Sequence, residues 1–155
     1  MTASLLIKNF TKQKLNQKYL NEIAEKTLAV AEFKKPAEIS LVITGEKRIR
    51  TLNKKYRGID KITDTLSFGN DTVNKTVKNK TAKFINPPDN IAHLGEVFIC
   101  YSQATKQARQ KKHSVKKEMT ILLIHGILHL LGYEHKEDYE SSEMKVLEKR
   151  VLMSL

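Results

Sequence analysis

Apolar residues recur along this chain with two periods, and the changes of period mark its elements. Residues 4–10 are a short β-branched and apolar run, and Thr11 then stands where a helix N-cap is expected. The helix extends to about residue 32, with Leu15, Tyr19, Leu20, Ile23, Ala24, Leu28 and Val30 at helical intervals, and Pro36 ends the unit. Residues 38–44 alternate as a strand. Gly45 opens a second helix carrying Ile49, Leu52, Asn53 and Tyr56, which Gly58 closes. Residues 64–68 and 94–101 read as two further strands, followed by a polar helix over 102–112 and an apolar helix from Ser114. A last helix over 139–155 repeats Met144, Leu147, Val151 and Leu152 on one face. About four strands and about five helices, interspersed but with the helices clustered late, predict an α+β domain built on a four-stranded mixed sheet. Neither a repeat nor a linker divides the chain, so residues 1–155 are expected to form a single domain. The polar stretch 69–90, with Lys75, Lys78, Lys80, Lys83 and Pro87-Pro88, is long for a structureless connection and reads as a flexible or partly hairpin-like loop.

The apolar helix carries the chemistry. His125 and His129 stand four apart among Ile121, Leu122, Leu123, Ile124, Ile127, Leu128, Leu130 and Leu131, and His135 follows six residues later with Gly132 between. Residues four apart share one helix face, so two imidazoles there can converge on one ion. Gly132 fits the αL position just past a helix end, where the chain reverses and can bring His135 back to the pair. A single histidine in such a helix is more often a satisfied core residue. Three in register cost desolvation unless one partner binds them all, so His125, His129 and His135 are read as ligands of one divalent metal ion, with zinc the best match to three imidazoles and an open fourth position. The spacing is that of the long zincin pattern H-E-x-x-H-x-x-G-x-x-H, whose Glu is the general base of a peptidase. Here that position is Gly126. The metal helix is zincin-like without the zincin base, and Glu134 is left as a candidate base or orienting carboxylate.

Charge narrows the partner. Lys and Arg number 28 against 17 Asp and Glu, a formal net charge of +11, which favours a polyanion such as nucleic acid, although lysines that only solvate a surface give the same count. One cysteine, Cys100, excludes an intramolecular disulfide and sits in an apolar run that suggests a buried strand position. The first residues are too short an apolar run for a signal peptide, and no stretch approaches the roughly 18 apolar residues of a membrane helix, so a cytoplasmic protein without a membrane partner is expected.

Three blocks resemble the YbeY family of bacterial metal-dependent endoribonucleases, which is associated with ribosomal RNA maturation. Residues 125–135 are similar to its H-G-x-L-H-L-x-G-Y-D-H. Residues 52–57 through 63–68 are similar to its L-N-x-x-Y-R and T-D-V-L-S-F, and residues 94–99 to its L-G-D-I-x-I. Departures are mild: Glu134 and Glu96 replace aspartates, Ile62 stands where proline is common, Gly69 follows Phe68 where proline is usual, and the loop after Gly69 is longer and richer in lysine. The resemblance implies a single-strand-specific endoribonuclease of ribosomal RNA maturation and ribosome quality control, with RNA precursors as substrate, ribosomal proteins as possible partners and no DNA. It also implies that Arg57 acts in the same groove as the metal; read without it, Arg57 is a charge at a helix C-terminus. Thr63, Asp64 and Ser67 are candidates to orient Arg57 or substrate, or else a turn. Lys106, Arg109, Lys111, Lys112, Lys116 and Lys117 form a basic cluster ahead of the histidine helix that is either a track for an RNA backbone or a solvated face. His93 and His113 lack partners at ligand spacing. Two other readings stand beside the nuclease: a zincin-like metallopeptidase, and a non-enzymatic zinc-containing module that binds ribosomes or RNA.

Overall fold

The run AEISLVIT forms strand β2 (Ala37–Thr44), in which Ile39, Leu41 and Ile43 are fully buried and Val42 is buried on the opposite face. A strand buried on both faces belongs inside a sheet. In the computed structural model, which describes residues 3–70, 90–134 and 142–155, β2 pairs in parallel with β1 (Ala3–Asn9) on one side and with β4 (Ala92–Cys100) on the other. Strand β3 (Thr65–Gly69) runs antiparallel to β4 and completes the order β1-β2-β4-β3. The described residues thus hold the four-stranded mixed sheet the patterning predicts, with β3 at one edge.

Five helices accompany it among the described residues: α1 (Gln17–Val30), α2 (Glu46–Arg57), α3 (Tyr101–Lys111), α4 (Val115–Leu130) and α5 (Glu143–Ser154). Several boundaries differ from expectation, and at three of them the difference bears on how the elements start. Helix α1 begins at Gln17, where the Asn16 side chain accepts the Tyr19 N–H at 3.0 Å, and not after Thr11. Thr11 instead donates from its backbone and hydroxyl to Asn9 Oδ1 at 2.9 and 2.7 Å, the local bonding by which threonine and asparagine hold a turn against a helix. Tyr101 opens α3 directly from the end of β4 and is not a strand residue. Helix α5 starts at Glu143 behind Ser142, which accepts the Lys145 N–H at 3.2 Å. Residues 139–141 of the expected helix, and residues 71–89 of the expected loop, lie outside the described residues.

Strand alternation gives the sheet two different faces. Val97 and Ile99 of β4 face α1, α4 and α5 and join Ile23, Leu28, Leu123 and Ile127 in the main core. Phe98 and Cys100 face the other way, with Leu66, Phe68 and Ile49, into a smaller core under α2. Cys100 is a free, buried cysteine at a strand end, as its neighbours suggested. Helix α4 is apolar nearly all round because α1, α3, α5, β3 and β4 surround it. Its first turn buries Glu118, which accepts from Lys111 Nζ at 3.2 Å and lies 2.7 Å from His113 Nε2, tying the α3–α4 turn together. None of the described helices is long and apolar enough to cross a membrane.

One irregularity positions the edge strand. Glu38 pairs with His93 but Ile39 pairs with Gly95, so Leu94 is an extra residue in β4, a bulge. Gly95 beyond it takes φ +131°, and a Cβ there would stand 2.2 Å from the Phe68 carbonyl oxygen. Only glycine lets β3 pass so close. Gly95→Ala is expected to lower stability by about 3 kcal/mol or more, from backbone strain plus the clash, as read from urea unfolding midpoints. An unchanged midpoint would show that β3 can move aside.

Candidate metal centre and groove

Towards its C-terminal end α4 comes close to the sheet at Gly126. A Cβ on that residue would meet Val97 Cγ1 at 2.6 Å and Cγ2 at 3.1 Å, and Ser67 donates its hydroxyl to the Gly126 carbonyl at 3.3 Å. Ser67 and Val97 are directly opposed across β3 and β4, so they share the face that meets the helix. The close approach carries His125 and His129 past the sheet edge. Their rings lie 4.7 Å apart at 76°, and the two Nε2 atoms are 3.1 Å from one another. Two imidazoles bound tetrahedrally at about 2.0–2.1 Å would bring their nitrogens about 3.3 Å apart, so this spacing could hold a shared ion as well as a hydrogen bond between the rings. The helix then ends where expected: Gly132 takes φ +97° and donates its N–H to the His129 carbonyl at 3.0 Å. Of the three expected ligands two are brought together, and His135 lies outside the described residues.

A fourth residue escaped the sequence reading. Glu148 of α5 places Oε1 2.6 Å from His125 Nδ1, with both side chains nearly buried, 10% and 17% exposed. Its signal was present in the pattern. Met144, Leu147 and Val151 mark the buried stripe of α5, and position 148 falls inside that stripe at helical spacing from both ends. A carboxylate there needs a polar partner.

The opposite wall comes from α2 and the chain after it. Gly58 ends α2 in the αL conformation at φ +70° and donates to the Lys54 carbonyl, which leaves Tyr56 and Arg57 on the last turn. Asn53 donates from Nδ2 to the Lys61 carbonyl at 2.9 Å, and Arg50 donates to Asp60 at 2.8 Å, holding that carboxyl below its usual range. The segment so anchored leads into β3, and Arg57, Thr63, Asp64, Ser67, His125 and His129 line one cavity of about 640 Å³. Asp64 Oδ1 accepts the Thr65 N–H at 2.7 Å and the Thr63 hydroxyl at 3.3 Å, so this pair builds the turn that starts β3 as well as the cavity wall. Tyr133 and the exposed Glu134 close the rim. Burial, and after it the carboxylates of Glu143 and Glu32, push the Tyr133 phenol above its ordinary value, so it remains a hydrogen-bond donor.

The basic cluster ahead of α4 does not join this site. None of its six residues lines the cavity. Lys117 to His129 is roughly 18 Å along the helix, Lys111 is engaged with Glu118, and Lys116 lies over the Tyr19 ring at 4.3 Å. The positive charge lining the cavity is that of Arg57, in the last turn of α2 with Lys54 and Lys55. His93, against Glu38, and His113, against Glu118, also stand apart.

A model of the family described as endoribonuclease YbeY matches residues 6–155. The chain belongs to the YbeY endoribonuclease family. A protein of Dehalococcoides mccartyi named endoribonuclease YbeY is 44% identical over 147 residues, covering 94% of this chain and 84% of that protein. One of the same name from Roseiflexus castenholzii is 35% identical over 130 residues, covering 83% and 77%. The solution structure of TM1509 from Thermotoga maritima shares the fold, with a TM-score of 0.54 at 23% identity over 99% of this chain and 91% of that one. Family and packing agree against the peptidase reading, because no glutamate fits between α4 and Val97 at position 126. Gly126→Ala is expected to lower the melting temperature. A gain of about 1 kcal/mol in helix propensity is outweighed by an overpacking cost of roughly 1–3 kcal/mol against fully buried, stiff Val97. A higher melting temperature would mean that the helix has room to stand off.

Proposed function

We propose that the groove is the active site of a metal-dependent endoribonuclease that cuts single-stranded RNA, with ribosomal RNA precursors as substrate, in ribosomal RNA maturation and quality control in the cytoplasm. The observation that carries this reading is that Arg57 and the converging His125–His129 pair, far apart in sequence, line the same cavity. In this reading His135 completes the ligand set, and the all-imidazole donors suit zinc. A divalent cation so held supplies Lewis-acid polarisation of a phosphoryl oxygen and lowers the pKa of water.

The chain's own residues do the rest. Arg57, always charged and able to hold two phosphate oxygens at once, binds the scissile phosphate and offsets the charge that builds on it. Lys54 and Lys55 stand in the same last turn of α2 and add positive charge to that helix end, which favours a polyanion. Glu134 at the rim is a carboxylate within the cavity lining that can take the proton of the attacking water or ribose 2′-OH. Single-strand preference follows from Tyr56, a residue 58% exposed and next to Arg57 in sequence. Its ring is backed by Phe68 at 5.0 Å, and Phe68 in turn meets the Phe98 ring at 5.6 Å. A ring so braced offers a platform on which an unpaired base can stack, and a base inside a duplex cannot reach it.

Arg57→Ala is expected to reduce RNA cleavage at least about 100-fold, the scale of losing one transition-state charge contact, while zinc content and melting temperature stay at wild-type values. Cleavage retained by the purified variant would remove Arg57 from this role; a folded variant that still binds RNA without cutting it separates an enzyme from a binding module. Tyr56→Ala is expected to weaken single-stranded RNA binding by about 1–3 kcal/mol, roughly 5- to 150-fold, with Tyr56→Phe near wild type. Equal losses for duplex and single-stranded RNA in a binding titration would refute the stacking role.

A further inference from the structure

We infer that Glu148 is a positioning residue of the metal centre, holding His125 in the one tautomer and orientation that present Nε2 to an ion; this rests on the reading of His125 and His129 as ligands. An ionised carboxylate only accepts hydrogen bonds, so the proton in the 2.6 Å contact with Glu148 Oε1 belongs to His125 Nδ1. In the neutral ring the lone pair is then on Nε2, the atom that lies 3.1 Å from His129 Nε2. The contact is short, as a charge-assisted bond is, and it makes the imidazole a stronger donor to a cation.

Position in the fold argues the same way. Glu148 occupies the stripe of α5 that Met144, Leu147 and Val151 bury, on a helix that packs against α1 and α4. An apolar residue there would serve packing alone without the desolvation cost of a carboxylate. The carboxylate instead reaches the outer ring nitrogen of one member of the converging pair, and its negative charge would help balance a divalent cation on the far side of that ring. The competing explanation is an ordinary buried ion pair that fastens α5 to α4.

The two explanations separate on metal affinity. Full-length wild type, Glu148→Gln, Glu148→Ala and His129→Ala would be titrated with zinc against a fluorescent chelator, and the metal-free proteins melted in parallel. Loss of an orienting carboxylate is expected to weaken zinc binding about 10- to 100-fold in Glu148→Ala. Glu148→Gln, which keeps an acceptor but not the charge, is expected to fall between, with a metal-free melting temperature close to wild type. Wild-type zinc affinity in both Glu148 variants, with or without a lower melting temperature, would overturn the role and leave the ion-pair explanation. If Glu148→Ala does not fold, wild-type affinity in Glu148→Gln overturns it alone. Zinc binding by wild type no tighter than by His129→Ala would bring down the metal reading itself and the role of Glu148 with it.

Discussion

The separation between α4 and the sheet is set where Gly126 meets Val97 and Ser67, and most of the groove depends on it. With no side chain at 126, the helix approaches until its backbone carbonyl accepts the Ser67 hydroxyl and Val97 fills the space a Cβ would take. That distance decides where the next residues point. His125 and His129, on either side of the contact in sequence, emerge beside β3, the edge strand whose preceding segment carries Thr63 and Asp64. A bulkier residue at 126 would lift the helix and carry the imidazoles away from the wall that holds Arg57. The absence of a zincin glutamate is therefore a packing requirement as much as a chemical difference.

A second close approach, at Gly95, supports the first. The extra residue Leu94 shifts the register between β2 and β4, and the Phe68 carbonyl oxygen takes the space that a Cβ on Gly95 would need. β3 is thereby held alongside β4 from Gly95 to Ile99, with Ser67 on the α4 side and Phe68 on the α2 side. One short strand thus links both walls of the groove. Towards α4 it supplies the hydroxyl that touches the histidine helix, and towards α2 it supplies the ring that braces Tyr56. The site needs no element of its own, being made from a helix end, a strand edge and a helix that finishes beside them.

Much of this was legible from the residues. The strands β2 and β4, and a histidine helix starting at Ser114, follow from periodicity and caps, since hydrogen bonds within a helix and alternation along a strand are local properties. The misplaced start of α1 had a local cause too: Thr11 had an alternative partner in Asn9, and Asn16 was the stronger cap. For the basic cluster before α4, two uses stood open, and the fold separates it from the cavity. Charge density along a sequence says nothing about which end of a helix faces a cavity, and none of the cluster residues between Lys106 and Lys117 lines this one.

By itself the sequence determined the convergence of His125 and His129, because residues four apart must share a helix face, and the reversal at Gly132, because glycine tolerates the backbone conformation that a helix end requires. It also determined that position 126 carries no base. Family resemblance had put Arg57 in the same groove, and the fold lines one cavity with it and those imidazoles; tertiary structure alone decided that Tyr56 stands exposed on that lining, and that Glu148, 23 residues beyond His125, reaches the back of its ring. The physical reason is one of range. Helical spacing fixes neighbours within a turn or two, whereas contacts between separate elements depend on how close two surfaces pack, and here that closeness was set by Gly126 and Gly95.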